Sequence, residues 1–221
     1  MRGWLAALAI LTGGQAQACG LELILAMDVS RSVVNAEYDL QMGGLADAFR
    51  NDEVAEAIRW IPGGAMVTVT QWSGPSNQKQ TIPWRHLTTE AEAFAFADEI
   101  DAMPRQFFAA YTAVGEALWH AGKLSATNPR PCTRRVVDVS GDGASNRGRA
   151  PRGIADKLAA SGVTVNGLAI KGAAPDPETY YAANVIAGPG AFLEVAQGFE
   201  DYAEAIQRKL LRELSPSLVS R

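Results

Sequence analysis

The chain of 221 residues has few of the side chains on which several common protein classes depend. Its two histidines are too few for a zinc site, and it has no Walker loop, no G-x-G-x-x-G and no G-x-S-x-G motif. It also lacks a basic excess, because 20 Lys and Arg stand against 24 Asp and Glu. The resulting net charge of −4 argues against a nucleic-acid or anionic-membrane surface. What is present, 48% hydrophobic and 20% charged residues, is typical of one globular α/β domain.

The first 18 residues differ from the rest and predict a secretory signal peptide. Arg2 precedes a short apolar stretch, residues 4–11, and Ala16-Gln17-Ala18 matches a cleavage site. The apolar stretch is too short to span a bilayer. Lipidation of Cys19 is the alternative, although a lipoprotein signal normally has Leu where Ala16 stands. We therefore expect an exported protein, periplasmic or secreted, in which residues 19–221 form a single domain without a transmembrane segment.

Two cysteines, Cys19 and Cys132, follow the predicted cleavage site. In an oxidising compartment such a pair is expected to form a disulfide. Each cysteine precedes an apolar stretch by a similar distance, and these stretches lead to Asp28 and Asp142. If the two stretches are neighbouring parallel strands, both cysteines start at the same edge of the sheet. Two buried free thiols are the alternative.

Short apolar stretches alternate with amphipathic helical patterns along the chain. The stretch that opens at Leu21 is nearly continuous in apolar residues, which is typical of a strand covered on both faces. Further strands are predicted at 66–72, 134–140, 163–170 and 191–195, and 80–87 suits an edge strand that tolerates Pro83. Asn35 is expected to cap the first helix. We predict a doubly wound α/β fold: a mainly parallel central sheet, helices on both faces and one antiparallel edge strand.

Oxygen-bearing side chains follow the predicted strands where those strands end. Asp28, Ser30 and Ser32 follow the first strand, Asp142 follows a later one, and Thr112 opens a helix between them. Carboxyl ends of parallel strands meet at one edge of a sheet, and hard oxygen ligands suit Mg²⁺, Mn²⁺ or Ca²⁺ rather than zinc. Each residue also has an ordinary interpretation, as part of a capped turn, as a helix cap or as a turn residue.

Asp-x-Ser-x-Ser after the first strand, a lone Thr before a middle helix and Ser-Gly-Asp-Gly after a later strand together resemble the von Willebrand factor A (VWA) domain. In that family these positions form the metal-ion-dependent adhesion site (MIDAS). The resemblance covers essentially the whole chain after the signal peptide. It implies that one Mg²⁺ or Mn²⁺ is surrounded, directly or through water, by Asp28, Ser30, Ser32, Thr112 and Asp142. The tract YYAANVIAGPGAF, residues 180–192, also resembles an exported bacterial subgroup of uncharacterised function.

The resemblance implies an exported protein-binding module, in which an acidic residue of a protein ligand completes the coordination of the metal. Two alternatives stay open: a metal-dependent hydrolase of phosphate esters, and a structural domain whose metal only orders the loops. A hydrolase needs a catalytic base, and the metal loops contain no spare His or Glu. Arg147, Arg149 and Arg152 follow Asp142 and are expected either to contact an acidic partner or to be solvated.

Overall fold

The computed structural model describes residues 18–108 and 111–215, so the predicted signal peptide lies outside the described residues except for Ala18. The strands within these ranges are β1 Cys19–Asp28, β2 Ala65–Trp72, β3 Gln78–Leu87, β4 Cys132–Gly141, β5 Thr164–Ile170 and β6 Leu193–Ala196. The helices are α1 Asn35–Arg50, α2 Asp52–Arg59, α3 Glu90–Asp101, α4 Val114–Ala126, α5 Pro151–Ala160, α6 Pro177–Asn184 and α7 Tyr202–Leu214, the last preceded by a 3₁₀ turn at Phe199–Asp201.

The strands form one sheet in the order β3-β2-β1-β4-β5-β6. All neighbours are parallel except β2 and β3, which are antiparallel, so the predicted fold class is confirmed. The chain builds from β1 outward to β3 and then returns to add β4 on the other side of β1. The carboxyl ends of β1 and β4 therefore lie side by side where the direction of connection reverses, and a crevice opens there in sheets of this kind.

Strand β1 is covered on both faces, which explains why its sequence is apolar at nearly every position. Leu21, Leu23 and Leu25 belong to the core cluster shared with α1, α2, α3 and α7. Ile24 and Ala26 point to the other face and belong to the cluster shared with α4, α5 and α6. Core side chains thus pack against both faces of β1, and this packing fixes the position of its last residue, Asp28.

Cys19 and Cys132 are paired in register at the start of β1 and β4, with their Cα atoms 4.4 Å apart, and form a disulfide. The bridge joins positions 113 residues apart, a loop length for which the chain-entropy model gives about 4–5 kcal/mol of stabilisation. It lies at the edge of the sheet opposite the ends of β1 and β4. Within the ranges that the structure covers, no helix is long and apolar enough to cross a membrane.

Local predictions for the first helix were partly wrong. Asn35 does not cap α1 but is its first residue; the preceding backbone N–H, that of Val34, donates to the Glu37 carboxylate at 2.7 Å.

The separate helix α2 was not predicted. It begins because the Asn51 side chain accepts hydrogen bonds from the backbone N–H groups of Glu53 and Val54, which is a typical N-cap.

Candidate metal centre

Five side chains predicted as ligands meet at the carboxyl edge of the sheet, and we call them the polar cluster. The Ser30 backbone N–H donates to Asp28 Oδ1 at 2.7 Å, and the Ser32 hydroxyl donates to Asp142 Oδ1 at 2.8 Å. The two serine Oγ atoms are 3.2 Å apart, and Thr112 Oγ1 donates to Ser30 Oγ at 3.3 Å. Three loops that are distant in sequence are thereby joined in one hydrogen-bonded set.

The ordinary interpretations account for only part of this arrangement. Thr112 is not the cap of α4, since Ala113 holds that position and the Thr112 hydroxyl contacts Ser30. The Asp28 carboxylate does close a turn through Oδ1, as a capped turn requires. Its other oxygen, Oδ2, is buried and has no hydrogen-bond partner among the residues described.

Burial makes the two carboxylates of the polar cluster costly to ionise. Asp28 is fully buried, and burial, followed by the negative charge of Asp142, raises its pKa from 3.8 to about 8. Burial likewise raises the pKa of Asp142, while the hydrogen bond from Ser32 works against that rise. Arg105 lowers the pKa of Asp28 but does not outweigh the burial. A cation between the two carboxylates would compensate both charges.

The donor set fits a hard divalent cation. It consists of two carboxylates and three hydroxyls, all oxygen donors of the kind preferred by Mg²⁺ and Mn²⁺, and the unpartnered Asp28 Oδ2 supplies a buried acceptor. Residues 18–108 and 111–215 contain no group of three or more His, Cys, Asp or Glu side chains that could hold a metal. The candidate donor set therefore combines the two carboxylates with the three hydroxyls.

A second layer of side chains, which the sequence analysis missed, fixes the backbone of the polar cluster. Gln41 on α1 donates to the Asp28 carbonyl at 3.0 Å. Arg105 Nη2 donates to the carbonyls of Val29 and Ser30 at 3.1 and 3.0 Å. Asn146 is tied twice to Thr112, because its side chain accepts the Thr112 N–H at 3.0 Å and its own N–H donates to the Thr112 carbonyl at 2.8 Å.

Of Gln41, Arg105 and Asn146, only Gln41 could have been noticed from the sequence pattern. It occupies the apolar stripe of α1, between Tyr38 and Leu45, where a polar side chain is buried and needs a partner. Arg105 and Asn146 lie in loops, so no periodic pattern marks them.

Arginines and exposed aromatic rings lie around the polar cluster. The Arg105 guanidinium is 5.3 Å from the ring centroid of Phe108, which is 69% exposed. The Arg147 guanidinium is 4.7 Å from the ring centroid of Tyr111, which is 42% exposed and precedes Thr112. We call Arg105, Phe108, Tyr111 and Arg147 the rim.

The other two arginines singled out in the sequence are engaged within the chain. Arg149 pairs with Glu116, and its guanidinium lies 4.8 Å from the ring centroid of Trp119. Arg152 pairs with Asp156 and donates to the Ile186 carbonyl at 2.9 Å. Of the three, Arg147 is the one that belongs to the rim.

Comparison with known proteins identifies both a family and a fold. A family described as "Protein of unknown function (DUF1194)" matches residues 18–218. The search of curated proteins gave no match.

Among solved structures, the chain is similar to proximal thread matrix protein 1 from the mussel byssus with a zinc-occupied MIDAS motif. The sequence identity is 18% and the TM-score 0.65, over 88% of this chain and 46% of that one. It is also similar to von Willebrand factor type A from Catenulispora acidiphila, with 14% identity and a TM-score of 0.59 over 89% and 43% of the two chains. A third similar structure is manganese-loaded TRAP protein of Plasmodium vivax, with 17% identity and a TM-score of 0.58 over 90% and 75%.

At these low sequence identities, the structural similarity shows the fold alone. The chain has the VWA fold that its motifs predicted. The chain spans about half the length of the mussel protein.

Proposed function

The chain belongs to the family described as protein of unknown function DUF1194, and from that premise we propose that it is an exported protein-binding module. In this proposal it recognises a protein ligand through a divalent metal held by the polar cluster. The observation that supports it most directly is the convergence of five oxygen-bearing side chains on one edge, with the buried Asp28 Oδ2 left without a partner among the residues described.

The metal would be Mg²⁺ or Mn²⁺, held by Asp28, Ser30, Ser32, Thr112 and Asp142. A bound ion of this kind would supply an electrophilic position at which an Asp or Glu carboxylate of the partner can bind. Ser32 is the exposed member of the polar cluster, while the other four are buried. The polar cluster therefore reaches the surface at Ser32, on the side where a partner has access.

The rim supports a protein as the ligand. Arginine and aromatic side chains are enriched at the centres of protein interfaces, and the rim presents two of each beside the polar cluster. Arg105 is held by the carbonyls of Val29 and Ser30, so the positive charge that the rim offers to a partner is that of Arg147, on a chain whose net charge is −4. This combination suits an acidic segment of a partner protein better than a small neutral ligand.

Two further observations support the metal and the export. The similar mussel and Plasmodium structures are described with zinc and manganese, respectively, which supports a divalent cation without selecting Mg²⁺. The disulfide between Cys19 and Cys132 suits an oxidising compartment, as does the signal peptide proposed for residues 1–18. We place the protein in the periplasm or outside the cell.

Thermal melting tests the metal site. We expect the wild-type protein to melt at a higher temperature with Mg²⁺ or Mn²⁺ than with EDTA, with a gain of about 2.7 kcal/mol at a hundredfold excess over Kd. We expect Asp142→Ala to lose this gain while remaining folded, because it also removes one of two neighbouring buried carboxylates. The matched control is Asp47→Ala, at a carboxylate whose side chain is 76% exposed. An equal metal response in wild type and Asp142→Ala overturns the ligand assignment.

A pull-down tests recognition, with residues 19–221 as bait and an extract of the source organism as prey. We expect a partner that is captured in Mg²⁺ by wild type and by Asp47→Ala, and that is lost with EDTA or with Asp142→Ala. A partner that is captured equally in Mg²⁺ and in EDTA would indicate that another surface of the protein binds it. An EDTA-sensitive phosphatase activity in the same preparations supports the hydrolase instead.

A further inference from the structure

Tyr181 is a buried polar group that the polar cluster does not use. It lies on α6, in the tract that resembles the exported subgroup, and its side chain has no exposure to solvent. A buried tyrosine hydroxyl is normally hydrogen-bonded, because leaving it unpaired costs free energy. The Tyr181 hydroxyl has no such partner in the described part of the chain, so its position needs another explanation.

Two glycines on neighbouring strands make room for the Tyr181 side chain. On β5, a Cβ added at Gly167 would lie 3.1 Å from Tyr181 Cδ1. On β4, a Cβ added at Gly141 would overlap the Tyr181 hydroxyl. The ring therefore extends from β5 across β4 towards β1, and any larger side chain at Gly141 would exclude its hydroxyl.

The residue that the Tyr181 hydroxyl approaches on β1 is Asp28. The same Cβ position at Gly141 lies 3.0 Å from Asp28 Oδ2. Two buried oxygens that both lack a hydrogen-bond partner thus lie beside one glycine, and one of them can donate a hydrogen while the other can accept it. A tyrosine hydroxyl, whose ordinary pKa is about 10, carries its hydrogen at neutral pH and can donate it.

We propose that Tyr181 is a positioning residue for the metal site: when the metal is bound, its hydroxyl donates to Asp28 Oδ2 and holds that carboxylate in the orientation needed to ligate the metal. This inference rests on the proposed function, because it requires that the polar cluster bind a divalent cation. Asp28 would then be fixed at three points, by Tyr181 behind Oδ2, by the Ser30 N–H on Oδ1 and by Gln41 on its carbonyl. Loss of such an outer hydrogen bond typically weakens metal binding by roughly 10–100-fold.

Tyr181→Phe removes one oxygen and keeps the ring, and Tyr180→Phe on the same helix is the matched control. We measure the Kd for Mn²⁺ by titration calorimetry and the melting temperature in EDTA for both variants and wild type. For Tyr181→Phe we expect a Kd weakened about tenfold, at the lower end of the range for outer hydrogen bonds. We expect its melting temperature in EDTA to be unchanged or higher, because an unpaired buried hydroxyl is gone. Tyr180→Phe leaves both values unchanged.

A Kd for Tyr181→Phe equal to that of wild type overturns the inference and leaves the proposed metal site intact. A weaker Kd together with a lower melting temperature in EDTA assigns Tyr181 to packing and also overturns it. If wild type itself binds no Mn²⁺, the proposed function fails first. The wild-type titration therefore separates the two failures.

Discussion

Ser32 and Asp142, which are 110 positions apart in sequence, are joined by a hydrogen bond of 2.8 Å from the serine hydroxyl to Asp142 Oδ1. The bond connects the loop after β1 to the loop after β4, and the contact between Thr112 and Ser30 adds a third loop. The neighbouring positions of β1 and β4 in the sheet bring these loops together. The geometry of the polar cluster is therefore a consequence of strand order.

Asp28 makes the stability of the metal-free protein depend on pH. Its pKa is about 8 in the folded chain against 3.8 for an ordinary aspartate, so between these values the folded state holds a proton that the unfolded state has released. The free energy of unfolding in EDTA is therefore expected to fall as pH rises from about 4 to about 8, by the linkage between proton binding and folding. Urea denaturation between pH 5 and pH 8 measures this trend.

Asp28→Asn is the control for that trend, because the amide does not titrate. As pH rises in EDTA, wild type should steadily lose stability relative to Asp28→Asn. Saturating Mn²⁺ should abolish the trend for wild type, since the ligated carboxylate is ionised in the folded chain as it is in the unfolded chain. A pH-independent difference between the two proteins would contradict the assigned pKa.

Arg147 separates partner recognition from metal binding. Its guanidinium is 4.7 Å from the centroid of the Tyr111 ring, and Tyr111 directly precedes Thr112 of the polar cluster. Arg147→Ala should leave the Kd for Mn²⁺ unchanged and weaken metal-dependent partner capture, by about 1–2 kcal/mol if Arg147 is an interface anchor. Arg130→Ala, at an arginine in the turn before β4, is the matched control. Equal partner capture by wild type and Arg147→Ala would remove the rim from the interface.

The polar cluster could be predicted largely because its members follow strands. Asp28, Ser30 and Ser32 lie within five consecutive positions after an apolar stretch, and Asp142 follows a second one, so sequence order alone places them at one edge. Thr112 is different, since its inclusion depended on the resemblance to the VWA domain. An isolated threonine before a helix is otherwise indistinguishable from a cap.

The residues that support the polar cluster could not be predicted, because their contacts span long distances in sequence. Arg105 binds the Ser30 carbonyl from 75 positions away, and nothing near Arg105 indicates that contact. Tyr181 reaches Asp28 only because β5 and β4 carry glycines at two particular positions. The missed helix α2 has a local cause: it follows α1 almost without interruption, and only the Asn51 cap marks its start.

Lys209 is a fully buried cation on which the packing of α7 depends. Its ammonium lies 2.7 Å from Asp138 and 2.6 Å from Glu213, both of which are also buried. Lys209→Met would leave two uncompensated carboxylates in the core, which typically costs about 3–5 kcal/mol. Urea denaturation measures the loss, and Lys157→Met on the surface of α5 is the control. A loss below about 1 kcal/mol would mean that the carboxylates become protonated at little cost.

The Gly141–Tyr181 contact can be tested without metal by a double-mutant cycle in EDTA. Gly141→Ala places a Cβ against the Tyr181 hydroxyl, and overpacking of this kind costs about 1–3 kcal/mol. In the Tyr181→Phe background the overlapping atom is absent, so the same substitution should cost less. Residues in contact typically show a coupling free energy of about 0.5–3 kcal/mol in such cycles.

The residual cost of Gly141→Ala in the Tyr181→Phe background is informative too, because the added Cβ still lies 3.0 Å from Asp28 Oδ2. We therefore expect the cost to shrink without vanishing. Urea denaturation of the four proteins gives the coupling. An equal cost of Gly141→Ala in both backgrounds would show that the tyrosine hydroxyl does not lie over β4. Since the hydrogen bond to Asp28 requires that location, this result would also remove the structural basis for Tyr181 as a positioning residue.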